Sequence, residues 1–442
     1  MISKNNTHVS RIVYYGLYGI QHRGQVCAGM AVNNNGFIDY FKELGLVHEV
    51  FTQDKIDRLM GKMAIGHVNT NTGITTSNSV INAQPLVVGY KRGGLALVHD
   101  GAIVNYKKLK QEMEDGGAIF QSQLDGEVIA MLIARFHKDS IEDAIIQTLG
   151  LIKGSYSFII MTNDCIFAAR DPFGMKPLSI GKLGEDYVLS SETCGFETVG
   201  AKYVRDVAPG ELIAIDENGV RTIQHKPFKR KLCFFETIYF SRPDSLIDGE
   251  SIYLSRIESG RELARQTPVD ADIVIGAPDS GIVAAIGYAE ESGIPYAEGI
   301  IKNRYVGRTF IQPTQEIREM GVRIKLNPLK ENINGKRVIL VDDSVVRGTT
   351  IKQTVKMLRD DGAKEVHIRI ASPPVKRHCY LGMDTPTEEH LIAAGMSVSE
   401  IEKSIEADSL GYISLEGLSN SMIYPSGFCT GCFNGDYPIA KE

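Results

Sequence analysis

The sequence has no tryptophan, no internal repeat and no low-complexity tract. It also lacks a basic excess: 48 Lys and Arg against 54 Asp and Glu leave a formal net charge of −6. A general nucleic-acid binder or a protein of anionic membrane surfaces usually carries a basic footprint, so small-molecule partners are favoured over both. No apolar run is long enough to cross a bilayer, and the polar start has no signal-peptide character, so a cytoplasmic protein is expected. Seven cysteines in 442 residues, an odd number, do not make a disulfide framework. In a reducing compartment, clustered cysteines read instead as metal or cluster ligands.

What is present is enough for more than one core: 442 residues, 43% of them apolar, predict two or three domains. Near the start, Val9, Ile12, Val13, Leu17 and Ile20 recur at helical spacing. The turn His22-Arg23-Gly24-Gln25 follows, and then the strand-like AGMAVNN. Up to about Asp206 short β-like runs dominate (FIDYFKEL, LALVHDGAIVN, SYSFIIMTN, CIFAARDP, DYVLSSET, ELIAIDENG), with helical stretches at the start, at KIDRLMG and at EVIAMLIARFHKD. This half reads as an α+β sandwich. RTIQHKPFKRKLCFFETIYFSRPDS looks like a connector. Beyond it DIVIGAP, GIVAAIGYAEES, PYAEGI, RVILVDD, TTIKQTVKMLRDDGA and EVHIRIAS alternate strand and helix, the pattern of an α/β domain with its ligand site at the carboxyl ends of parallel strands.

The chemistry of the second half concentrates in VILVDDSVVRGTT, residues 338–350. It places Asp342 and Asp343 at the end of a strand and Gly348-Thr349-Thr350 at the start of a helix. The free N–H groups and dipole of a helix N-terminus cradle a phosphate. The adjacent carboxylates can take two ribose hydroxyls or a divalent cation. This pattern resembles the 5-phosphoribosyl-1-pyrophosphate (PRPP) site of type I phosphoribosyltransferases. With Ala277-Pro278-Asp279-Ser280-Gly281 and IIKNRYVGRTFIQPTQEIREMGVRIKLNPL, the chain is similar from about residue 10 to 440 to the amidophosphoribosyltransferase (glutamine PRPP amidotransferase) family.

The resemblance implies an N-terminal-nucleophile-type sandwich over 1–225, glutaminase-like, followed by an α/β type I phosphoribosyltransferase domain over 226–442 that ends in a cluster-ligand segment. It implies that Asp279, Ser280, Gly281, Asp342, Asp343, Gly348, Thr349 and Thr350 bind PRPP, with Mg²⁺ at Ser280, Asp342 and Asp343. It also implies that Lys302, Arg304, Arg308 and Lys325 belong to the segment that in this family closes over the leaving pyrophosphate and excludes water. Thr237 stands where the family usually has Tyr, near the ammonia entrance. Cys233, Cys379, Cys429 and Cys432 match the four ligands of the [4Fe–4S] branch. From the residues alone, four thiolates suit zinc as well. Cys27, Cys165 and Cys194 read as ordinary thiols.

The first half departs from the family at its chemistry. There the glutaminase nucleophile is an N-terminal cysteine whose α-amine is the general base, on a short strand ahead of the first helix. Here the helix comes first, and a missing nucleophile strand is expected. Cys27 is internal and cannot replace that cysteine. The family Arg that clamps the glutamine carboxylate is Asn69, and no Arg occurs between Met63 and Lys91. The oxyanion-hole motif H-N-G-N is His99-Asp100-Gly101-Ala102. Asp125, which takes the substrate amino group, is retained. The expectation is an enzyme of de novo purine biosynthesis that makes 5-phosphoribosylamine and pyrophosphate from PRPP. Its amine source would be ammonia or an ammonia-supplying partner, it would form a homo-oligomer, and purine nucleotides would inhibit it. The alternative is a non-catalytic PRPP-binding regulatory paralogue.

Overall fold

The computed structural model describes residues 1–69, 80–305 and 324–441. Its first half is built from strands β1 (Cys27–Asn34), β2 (Phe37–Leu44), β3 (Met63–Asn69), β4 (Leu86–Tyr90), β5 (Gly93–Ile103), β6 (Gly154–Met161), β7 (Ile166–Arg170), β8 (Ser179–Leu183), β9 (Asp186–Ser190), β10 (Lys202–Asp206), β11 (Glu211–Asp216) and β12 (Gly219–His225). Six of these form an antiparallel sheet in the order β12-β11-β7-β6-β5-β4. The others form two three-stranded sheets, β2-β1-β3 and β10-β8-β9.

Ile2 joins those two sheets, bridging Met63 of β3 and Tyr187 of β9. The place in front of the first helix, expected to lack a strand, is therefore filled by residues 1–3. Two exposed sheet edges, each with unpaired N–H and C=O groups, recruit whatever backbone passes between them. The two layers pack through Ile65, Val98, Met161, Ile180 and Ile213 among others. Helix α1 (Val9–Gly19) covers one outer face, with Val9 and Leu17 fully buried and Ile12, Val13 and Ile20 packed beside them, the face the periodicity predicts. Helices Gly126–Phe136 and Ile141–Leu151 cover the other.

The second half has a four-stranded parallel sheet, Ile273–Gly276, Arg337–Asp342, Glu365–Ile370 and Ser409–Tyr412 in that order. Helices Ile252–Gln266 and Ile282–Ser292 lie on one face, Thr349–Asp360 and Val398–Ile405 on the other. PYAEGI adds only a bridge from Tyr296 to Val274 and the first residue of a hairpin, Ile300–Lys302 with Leu326–Pro328. Where the sequence predicted a connector from Arg221, residues up to His225 belong to β12, because strand β11 needs an outer partner. From Lys226 to Cys233 the chain runs along the first half, donating N–H groups to Gly210, Pro172, Phe173 and Met175 carbonyls.

Candidate active site

Parallel pairing of Gly276 with Val341 brings two loops side by side at the carboxyl end of the second sheet. One carries Asp279, Ser280 and Gly281; the other runs from Asp342 to Thr350. Gly281 packs so tightly that a Cβ there would stand 2.5 Å from Val341 O and 3.0 Å from the Cα of Asp342. Gly281→Ala is therefore expected to lower stability by about 1–3 kcal/mol, readable as a lower thermal midpoint, and to push the two loops apart. Gly348 has φ +78° and caps helix Thr349–Asp360 without a side-chain acceptor, so the N–H groups of that first turn remain available to an anion.

Asp342 Oδ1 accepts from the Asp343 N–H at 2.8 Å, and Asp343 Oδ1 from Ser344 Oγ at 2.5 Å. Burial, and for Asp342 the neighbouring Asp343, push both carboxyls above their ordinary range. Lys302, on the hairpin, pairs with Asp279. Lys325 sits at the hairpin's return, its carbonyl accepting from the Asn303 N–H, and Arg304 is exposed. Arg308 lies outside the described residues.

In the first half, a cavity of about 940 Å³ is lined by Asn69, Asp100, Gly101 and Asp125 and continues to Ser344 and Val346 in the second. All four residues of the glutaminase-like site thus come together. Asp125 is structurally engaged: its Oδ2 accepts from the Ile103 N–H at 2.7 Å and its Oδ1 from the Gly126 N–H at 2.9 Å. Asp100 belongs to a network the sequence does not announce. Arg23 donates to Glu236 (2.8 and 2.9 Å), Glu192 (2.7 Å) and Asp100 (3.3 Å). Lys176 Nζ lies 3.4 Å from Asp100 and 3.9 Å from Glu236. Burial alone would raise the Asp100 pKa, but Lys176 and Arg23 outweigh it and hold the carboxyl far below its ordinary value. These partners lie 77 to 213 residues from Arg23 in the chain, so no local pattern reveals them.

His22, Glu192 and Cys194 gather within 4.8 Å of one another. Glu192 already accepts from Arg23, the Arg242 N–H and Ser245 Oγ, and the Arg23 guanidinium stands where a cation would. Burial pushes the thiols of Cys27, Cys165 and Cys194 up to about 11, 12 and 12. The remaining four cysteines do gather. Cys233 pairs in strand register with Cys429, and burial and then neighbouring sulfurs raise the thiol pKa values of Cys233 and Cys432.

Comparison with known proteins agrees with this geometry. The family model described as a glutamine amidotransferase domain matches residues 70–197, and that of a phosphoribosyl transferase domain matches 254–384. Amidophosphoribosyltransferase from Synechocystis is 49% identical over 98% of this chain and 88% of its own length. The enzyme from Archaeoglobus fulgidus is 46% identical over 97% and 95%. The chain belongs to the amidophosphoribosyltransferase family. It is a phosphoribosyltransferase enzyme of purine biosynthesis, which disfavours the non-catalytic alternative. A solved structure, glutamine PRPP amidotransferase from B. subtilis complexed with ADP and GMP, superposes with a TM-score of 0.93 at 46% identity, over 99% of this chain and 96% of that one. Among the described residues, no helix is long and apolar enough to cross a membrane.

Proposed function

We propose that this chain forms 5-phosphoribosylamine and pyrophosphate from PRPP with free or partner-supplied ammonia, on a glutaminase-like half that serves as scaffold. Asp100 carries the proposal. Acyl transfer needs a donor aimed at a developing oxyanion, and at this position stands an ionised carboxylate fixed between Arg23 and Lys176. Asn69 supplies no guanidinium for a substrate carboxylate. The boundary is placed at 225/226, where β12 ends. Nucleotide inhibition and a homo-oligomer belong to the same reading.

In the transferase half, the first turn of helix Thr349–Asp360 takes the 5-phosphate, and Asp342 and Asp343 take the ribose hydroxyls. Lys302, Arg304, Arg308 and Lys325 neutralise the pyrophosphate as the anomeric C–O bond breaks and the ammonia lone pair closes on that carbon. Two adjacent carboxyls beside Ser280, Asp343 buried and Asp342 half-buried, both with raised pKa values, suit a hard divalent cation, and Mg²⁺ there would supply charge neutralisation to the leaving group. Pyrophosphate release from PRPP, followed with ammonium, with glutamine and with neither, tests the reading: glutamine serving as well as ammonium would remove it.

Cys233, Cys379, Cys429 and Cys432 would hold a [4Fe–4S] cluster. The sequence contexts of the four cysteines, rather than the number of thiolates, favour a cluster over a single zinc ion. Its contribution when bound is structural, pinning the C-terminal Phe428-Cys429 to Leu232-Cys233. Cys432→Ser is expected to lose iron and acid-labile sulfide together and to lower the thermal midpoint. Stoichiometric zinc without iron in the unaltered protein would decide against the assignment.

A further inference from the structure

Arg256 lies on helix Ile252–Gln266, only 6% exposed. Its Nε donates to Thr237 O and its Nη2 to Ser241 O, each at 2.8 Å. Those carbonyls bracket the turn Glu236–Phe240, whose first residue is the carboxylate held by Arg23 and Lys176. The turn is therefore fastened from both halves of the molecule.

These two carbonyls accept from the guanidinium without opposing its charge, and a buried charge without a counter-charge is costly; Asp343 first and Glu192 second are the carboxylates that act on it. Arg256 lines a small pocket, with room for about one water, together with Ser280, Thr237 and Asp343. Within that lining Arg256 is the one cation and Asp343 the one carboxylate. Thr237 lines the same pocket, its hydroxyl turned to the Phe234 carbonyl at 2.8 Å.

We infer that Arg256 is a positioning residue for the transferase reaction: it orients Asp343 toward the PRPP ribose and ties that orientation, through Thr237 and Glu236, to the glutaminase-like half. The inference rests on the role proposed for Asp343. It extends that role to a side chain on helix Ile252–Gln266 and to a series of charged groups, Asp100, Arg23, Glu236, Arg256 and Asp343, that runs from one half to the other.

Two variants separate charge from packing. Arg256→Gln keeps a donor for Thr237 O and loses the charge; its KM for PRPP is expected to rise about tenfold or more, with the KM for ammonium changed less than about threefold. Arg256→Lys keeps the charge and is expected to raise the PRPP KM less than about threefold. Equal PRPP KM values in both variants, or a KM for PRPP in Arg256→Gln like that of the unaltered enzyme, overturn the inference. Should Arg256→Gln not fold, Arg256→Lys decides alone: a tenfold rise in its PRPP KM overturns the inference and a rise below threefold supports it. Absence of ammonium-dependent turnover in the unaltered enzyme would instead defeat the proposed function, so the two failures are told apart.

Discussion

Purified protein is expected to release glutamate from glutamine at least about 10²-fold more slowly than it releases pyrophosphate from PRPP with saturating ammonium. Removing one oxyanion-hole donor costs about 10²–10³ in rate. Here the position holds not a missing donor but an anion: Asp100 stays ionised because Lys176 and Arg23 oppose its burial. Raising the pH cannot restore a donor, since the carboxyl is already deprotonated. Lowering it would have to protonate a group held far below its ordinary value, at a pH where other buried ion pairs also fail. The substrate carboxylate fares no better. Of the Arg and Lys side chains that line the cavity, Arg23 is committed to Glu236 and Glu192, and Lys176 to Asp100 and Glu236. Glutamate and pyrophosphate measured on the same preparation check the expectation. Coupled release of the two at equal rates from glutamine and PRPP would show a working glutaminase and return Asp100 to a catalytic account.

How much of this was legible in the chain divides along physical lines. Elements that bury an amphipathic face announced themselves, because a helix such as Val9–Gly19 or a fully buried strand such as Arg337–Asp342 must repeat apolar residues at its own period. The run 338–350 was readable as one motif because Asp342-Asp343 and Gly348-Thr349-Thr350 follow one strand directly, whereas its meeting with Asp279, Ser280 and Gly281 depends on the parallel pairing of Gly276 with Val341. The four cysteines were named as a set from their family contexts, and the register of Cys233 with Cys429 could not be read from their spacing in the chain. Three features were not legible. The place of Ile2 depends on two sheet edges that exist only after folding. The hairpin Ile300–Lys302 with Leu326–Pro328 has strands too short to show a period. The buried network of Arg23, Lys176, Glu192 and Glu236 joins residues whose charges would suit a solvated surface equally well, and only burial reveals that they compensate one another. That network is also why Asp100 is tolerated: an unpaired buried carboxylate would be strongly destabilising, and here two cations stand ready for it.

Asp343→Asn is expected to cut kcat/KM for PRPP by about 10²–10³ while raising the thermal midpoint of the protein measured without Mg²⁺ or PRPP. The first effect follows from losing a charged acceptor: hydrogen bonds to an ionised group contribute about 1.5–3 kcal/mol each, so a ribose hydroxyl would lose one of these while a divalent cation would lose an anionic oxygen ligand. The second follows from the free enzyme's electrostatics. Burial raises the pKa values of Asp342 and Asp343, and Asp343 raises that of Asp342 further, so in the folded state these groups bind protons more tightly than in the unfolded chain. A carboxyl whose folded pKa lies above its unfolded value destabilises the fold once pH passes the unfolded value, and the loss grows until pH reaches the folded one. At neutral pH the pair is therefore a source of strain that substrate and cation relieve, and removing one charge relieves it permanently. The expected signature is a gain in stability joined to a loss of function, which separates a binding site from a structural acid. With no tryptophan to follow, far-ultraviolet circular dichroism reads the midpoint and a pyrophosphate assay reads the rate. A variant less stable than the parent would mean that Asp343 serves the fold through its partners Ser344 and Arg256. A variant within tenfold of the parent in kcat/KM would remove Asp343 from the ribose site.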